Sequence, residues 1–190
     1  MSTARAILLA ATLALFAGCP SAKMATTFPA PVTKLVSAET FPEEAAGFER
    51  GEVFAYAADM KQLSAEYSLL ADDLQIAATL DFLPHEAGKT DLGERLKLEK
   101  VDVGKFYVGA RFLNEEDVVL EKKGVSYPAR RLAYEFEGMF RGQRQQLRGE
   151  LYLWSHQDRW LKLRAMAPSW QRKKMTAKNL ELLQAIDWSS

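Results

Sequence analysis

The residues with the most chemistry to offer lie between Arg141 and Lys174. That stretch holds nine basic and two acidic residues, a net charge of +7, interleaved with Tyr152, Trp154, Trp160 and Trp170. Arginine and lysine set among aromatic rings can grip an anionic polymer or headgroup by ion pairing and stacking. The expected contact surface is Arg148, Tyr152, Trp154, Trp160, Lys162 and Arg164, joined by Arg172, Lys173 and Lys174 at the start of the last helix. Basic side chains in a first helical turn oppose the macrodipole preference, which is mild support for a basic site there. A plainer account competes with it. Cross-strand Arg–Glu pairs would neutralise part of this face, each exposed pair contributing under about 1 kcal/mol. Trp154 and Trp160 would then simply stabilise a hairpin. If the face does bind, substituting Arg148, Lys162 and Arg164 weakens association without unfolding the domain.

Other chemistry has less to work with. His85 stands beside Glu86 in a loop after Pro84, and His156 lies two residues before Asp158. A zinc site needs three or four converging ligands, and neither segment has a ligand spacing, so no metal and no cofactor are expected. Ser64, Ser68, Ser126 and Ser155 lie in neither a G-x-S-x-G elbow nor an S-x-x-K box. Asp72-Asp73 and Glu115-Glu116-Asp117 read as turn chemistry where strands begin. There is no phosphate loop and no dinucleotide fingerprint. The sequence therefore reads as a non-enzymatic binding or accessory module. Two alternatives stay open. One is a hydrolase whose carboxylate or histidine site is built by loops around His85 and His156, since a carboxylate pair is spaced only in three dimensions. The other is a structural subunit that docks by a sheet edge or the last helix.

The elements that must position these groups follow from periodicity. The chain has 190 residues, 25 basic and 25 acidic, and 48% are hydrophobic, which excludes a disordered tail, a collagen-like fibre and a polytopic membrane protein. Leu74, Ile76, Ala78, Leu80 and Phe82 alternate with less apolar residues in a strand that Pro84 closes, and Val53 to Ala58 is a second strand. Residues 91–107 place Leu92, Leu96, Val103 and Phe106 at helical spacing, although Leu96-Lys97-Leu98 alternates and Gly93 and Gly104 weaken a helix. A helix is the reading adopted.

Later come three alternating strands, around Leu132–Phe140, Leu147–Leu153 and Leu161–Ala165. A two-residue Arg141-Gly142 turn sets Phe136 opposite Leu147, Leu132 opposite Leu151 and Glu135 opposite Arg148. A five-residue loop, Ser155 to Arg159, sets Trp154 opposite Trp160 and Glu150 opposite Arg164. Ser169 is the expected cap of a last helix with Met175, Leu182, Leu183 and Ile186 on one side. The fold expectation is α+β: an antiparallel sheet of about five or six strands, with a C-terminal helix and one mid-chain helix packed on it.

The N-terminus carries an address. Arg5 precedes a twelve-residue apolar run, Ala6 to Ala17, too short for a membrane-spanning helix of about 20 residues but suited to a secretory signal. Phe16-Ala17-Gly18-Cys19 resembles the bacterial lipobox, with Phe where an aliphatic residue is usual. The resemblance implies a signal peptide over 1–18, acylation of Cys19, and a lipid-anchored protein of the cell envelope that faces the periplasm. Pro20 stands where an inner-membrane retention signal would place Asp, which leans to the outer membrane. Cys19 is the only cysteine, so the mature chain has no disulfide. Residues 19–47, with Pro20, Pro29, Pro31 and Pro42, read as the lipidated Cys and a tether, leaving 48–190 as the domain.

The strand Gly149–Trp154, then Arg159–Ala165 and a Pro-initiated helix, resembles the PsbP-like fold of photosystem accessory proteins and DcrB-type lipoproteins. That resemblance implies a non-enzymatic module. Partners would be the membrane through the lipid, and an envelope glycan, lipid headgroup or protein; export leaves no nucleic-acid partner.

Overall fold

Strict alternation of apolar residues produces strands, and here it produces more of them than periodicity alone suggested. The computed structural model describes residues 41–56, 62–71, 73–85 and 91–188. Residues 1–40, which hold the expected signal segment, Cys19 and most of the expected tether, lie outside the described residues. The chain runs β1 (Glu44–Ala45), β2 (Phe48–Ala55), β3 (Leu63–Ala71), β4 (Leu74–Pro84), α1 (Leu92–Phe106), β5 (Arg111–Lys122), β6 (Val125–Phe140), β7 (Gln143–His156) and β8 (Arg159–Pro168). A 3₁₀ turn, Ser169–Gln171, then leads into α2 (Arg172–Ala185).

All strands join one antiparallel sheet in the order β1-β2-β3-β4-β8-β7-β6-β5. Two four-stranded meanders are thus joined through α1, and the second folds back so that β8 lies against β4. The expected five-or-six-stranded sheet, and the PsbP-like architecture inferred with it, give way to this eight-stranded sheet. Two long strands were missed. In β3, Leu63, Ala65, Tyr67 and Leu69 are buried on one face, and Ser64 is buried on the other. In β5, a sheet edge, Glu115, Glu116, Asp117 and Glu121 interrupt the apolar pattern, and charge on an edge discourages further pairing.

The domain also begins earlier than expected. Residues 41–47 were assigned to the tether, yet Phe41 is fully buried and Glu44–Ala45 pair with β2. The Arg50 side chain donates to the Phe41 carbonyl, fastening this entry segment to the sheet.

Each face of the sheet carries one helix. On one, Leu96 and Val103 of α1 pack on Leu132, Tyr134, Phe136, Leu147, Leu151, Leu153 and Trp160. On the other, Met175, Leu182 and Leu183 of α2, with Ile186 and Trp188, pack on the apolar sides of β2, β3, β4 and β8 and on Trp154. The Asp91 side chain caps α1 by accepting from the Glu94 N–H at 2.7 Å. Ser169 does not cap α2: it opens the 3₁₀ turn, and Gln171 precedes the helix without a side-chain cap.

Two-sided burial decides the register of the last hairpin. The β6–β7 pairing is as expected: Leu132 opposite Leu151, Glu135 opposite Arg148, Phe136 opposite Leu147. The β7–β8 pairing is shifted by one residue. His156 pairs with Arg159 around a two-residue turn, and Trp154 lies opposite Leu161, Ser155 opposite Trp160, and Glu150 opposite Ala165. Gln157 takes φ +54° at that turn. Gly149 through Trp154 are all buried, so neither phase of β7 is a solvent face. A one-residue slip therefore exchanges apolar matches rather than abolishing them: Tyr152–Leu163 and Trp154–Leu161 form, while Leu151 and Leu153 lie opposite Arg164 and Lys162, and alternation alone does not choose between the two registers. One close approach sets a residue type here. The Tyr134 ring lies across Gly149, where a Cβ would stand 2.2 Å from Tyr134 Cζ, so only glycine fits.

Candidate binding trough

Because α1 rests on β6 and β7, the same face of β2, β3, β4 and β8 stays open. Two adjoining cavities of about 310 and 330 Å³ lie there, and both are lined by Glu66, Thr79 and Arg164. Together they form a trough whose floor is laid out in cross-strand rows. Glu66 on β3 lies opposite Thr79 on β4, and Thr79 opposite Arg164 on β8. In the next row Phe54, Ser64, Asp81 and Lys162 follow one another across four strands. Ser68, Ala77, Met166 and Tyr107 wall one end, and Phe54 and Tyr56 the other.

The charges in this trough fall into two groups. The first is internally satisfied. Asp81 accepts the Ser64 hydroxyl at 2.6 Å and pairs with Lys162 Nζ at 3.1 Å. Lys162 also reaches Glu99 of α1 at 3.2 Å, and Glu99 takes Arg95 at 2.6 Å. The second group is Arg164 and Glu66. Among the described residues, Arg164 has no ion pair. Burial opposes its charge, but the surrounding Tyr107, Asp81, Tyr134 and Glu99 outweigh that, so its pKa is raised and it stays cationic. Glu66 is pushed up from the ordinary carboxylate range, first by burial and then by Glu52.

The expected basic–aromatic surface does not form. Tyr152, Trp154 and Trp160 are buried, each at 1% exposure or less. Their residues alternate about the sheet: Trp154 belongs to the α2-side core and Trp160 to the α1-side core. Arg148 is on the α2 side and half-buried, whereas Lys162 and Arg164 are on the α1 side. Of the nine expected contact residues only Arg172, Lys173 and Lys174 stand in solvent, and Lys174 pairs with Asp73. The physical reason is the second helix layer, which turns both phases of β7 inward. Of the nine residues proposed, Arg164 and Lys162 are brought into the trough. Ser64, Glu66, Thr79 and Asp81 were not foreseen as site residues, although their polar phase in β3 and β4 was readable as one face.

Histidine chemistry is also divided. His85 stacks near Trp160 (ring centroids 4.7 Å apart), and its Nε2 lies 3.1 Å from Ser155 Oγ. His156 packs instead against Tyr127 and Trp188. The two rings lie on opposite faces, so the loops around them do not make one site. Among the described residues, no group of three or more His, Cys, Asp or Glu could hold a metal ion, and no helix is long and apolar enough to cross a membrane.

No family model matches the chain, and no curated protein matches it. Among solved structures, the chain is similar to a protein of unknown function, PA94, from Pseudomonas aeruginosa. The identity is 11% and the TM-score 0.49, covering 68% of this chain and 85% of that one. A likeness at that level carries no functional argument.

Proposed function

We propose that this chain is a lipid-anchored protein of the cell envelope whose domain is a non-enzymatic binding or accessory module. The lipobox-like Cys19 is the anchor, with the domain facing the periplasm, at the outer membrane by the Pro20 argument. The trough is the ligand site, and Arg164 is the group that receives an anion. A single observation carries this reading: Arg164 is a largely buried cation that opens on a cavity and, among the described residues, has no ion pair, while the nearby Asp81 and Glu99 are committed to Ser64, Lys162 and Arg95. A buried charge without a partner is costly, and a bound carboxylate or phosphate would supply the bidentate partner that a guanidinium is shaped for.

The test uses the full-length lipoprotein in detergent, with thermal unfolding followed in the presence of fractionated envelope extract. A ligand at about 100 times its Kd stabilises by about 2.7 kcal/mol, which raises the Tm of a domain this size by roughly 5–10 °C. That rise is expected for the wild type and is expected to vanish in Arg164→Met. An equal rise in both, or none with any fraction, rejects the trough as the site.

The Ser155–His85 contact favours a second reading, a hydrolase with Ser155 as nucleophile. Among the described residues no carboxylate orients the His85 ring, and neither trough cavity is lined by either residue. Incubation with a fluorophosphonate probe is expected to leave Ser155 unlabelled. Labelling that disappears in Ser155→Ala would replace the binding module with the enzyme.

A further inference from the structure

We infer that the trough takes a small zwitterion, with the acidic group on Arg164 and an amine on Glu66; this rests on the trough being the ligand site. The argument is one of what remains after the internal pairs are removed. Lys162 and Arg95 satisfy Asp81 and Glu99. Among the described residues, Glu66 has no cation and Arg164 no carboxylate within ion-pair distance, so one charge of each sign is left without a described partner on the same floor. They belong to one cross-strand row with Thr79 between them. Two strand spacings put their backbones roughly 10 Å apart.

A side chain reaching from each end, plus a hydrogen bond of about 2.9 Å at each, leaves room for a ligand whose amine and acid are roughly 5–10 Å apart. An extended dipeptide, about 7 Å long, has that separation; a single α-amino acid is too short to reach both. A purely anionic ligand would satisfy Arg164 and bring its charge towards Glu66 and Glu52. A purely cationic one would do the converse. The Thr79 hydroxyl, midway between the charges, is placed for a peptide N–H or C=O, and Tyr107 and Met166 give an apolar wall for a short side chain.

The experiment titrates the full-length lipoprotein in detergent with alanyl-alanine, its N-acetyl derivative and its C-terminal amide, by calorimetry. Alanyl-alanine is expected to bind, and each capped form to bind at least tenfold more weakly. Glu66→Gln is expected to remove the preference over the N-acetyl form, and Arg164→Met to remove the preference over the amide. If the N-acetyl form binds as tightly as alanyl-alanine and Glu66→Gln changes nothing, the amine site is refuted while Arg164 stands as an anion site. Should alanyl-alanine fail to bind while envelope extract still stabilises the protein through Arg164, the ligand class is refuted and the site survives. Failure of both removes the site itself.

Discussion

Glu150→Ala is expected to destabilise the domain by about 3–5 kcal/mol, the usual cost of leaving a buried charge without its partner. Glu150 is fully buried on the α2 side of the sheet. It accepts from Arg131, from the Thr176 hydroxyl at 2.6 Å, from the Tyr152 hydroxyl at 3.1 Å and from the Asn179 amide at 3.2 Å. Two of these donors come from α2, so the carboxylate pins that helix to β6 and β7. Arg131 also pairs with Glu116 on β5. Burial opposes the guanidinium's charge, but Glu150 and then Glu116 hold its pKa above the ordinary range.

Chemical denaturation of wild type and Glu150→Ala measures the effect directly. The double variant Arg131→Met/Glu150→Leu is expected to recover much of the loss, since it removes both charges together. Strict additivity of the two single changes would contradict a coupled buried pair. An acid dependence follows as well. Arg131 lowers the Glu116 pKa below the ordinary carboxylate range, chiefly by a hydrogen bond. The stability it contributes is therefore full above that ordinary range and is lost as pH falls through the depressed value. In Arg131→Met that part of the acid transition is expected to disappear.

Trp154→Ala and Trp160→Ala should each cost about 3–5 kcal/mol, because both rings are fully buried. The indole N–H of Trp154 has no acceptor among the described residues, so its loss is one of packing. More informative than either magnitude is their coupling, measured with the milder Trp154→Leu and Trp160→Leu. A cross-strand pair on one face would couple measurably. On opposite faces, as the register places them, the two changes are expected to add within about 0.5 kcal/mol. Trp154→Leu and Trp188→Leu, whose rings sit 5.2 Å apart, are expected to couple and so calibrate the measurement. Coupling above about 1 kcal/mol between Trp154 and Trp160 would place them on one face and invalidate the register.

Periodicity and turn chemistry settled a good part of this molecule unaided. The Leu74–Pro84 strand, the helix at 92–106, the Arg141-Gly142 hairpin with its register, and the apolar stripe of the last helix all followed from local spacing. These are features in which the pattern repeats within a few residues. What the sequence did not disclose depends on non-local burial. That a helix covers each face is a tertiary fact, and it turned Tyr152, Trp154 and Trp160 from a proposed surface into core while splitting Arg148 from Lys162 and Arg164. It also allowed the last hairpin to shift by one residue, with Tyr152–Leu163 and Trp154–Leu161 as the apolar pairs of the register adopted. The trough belongs to the same class. Ser64, Glu66, Thr79, Asp81 and Arg164 come from three strands, and they meet because β8 closes back on β4. Which charges are left unpaired there depends on distances between side chains up to 100 residues apart in sequence, and only the folded chain determines them.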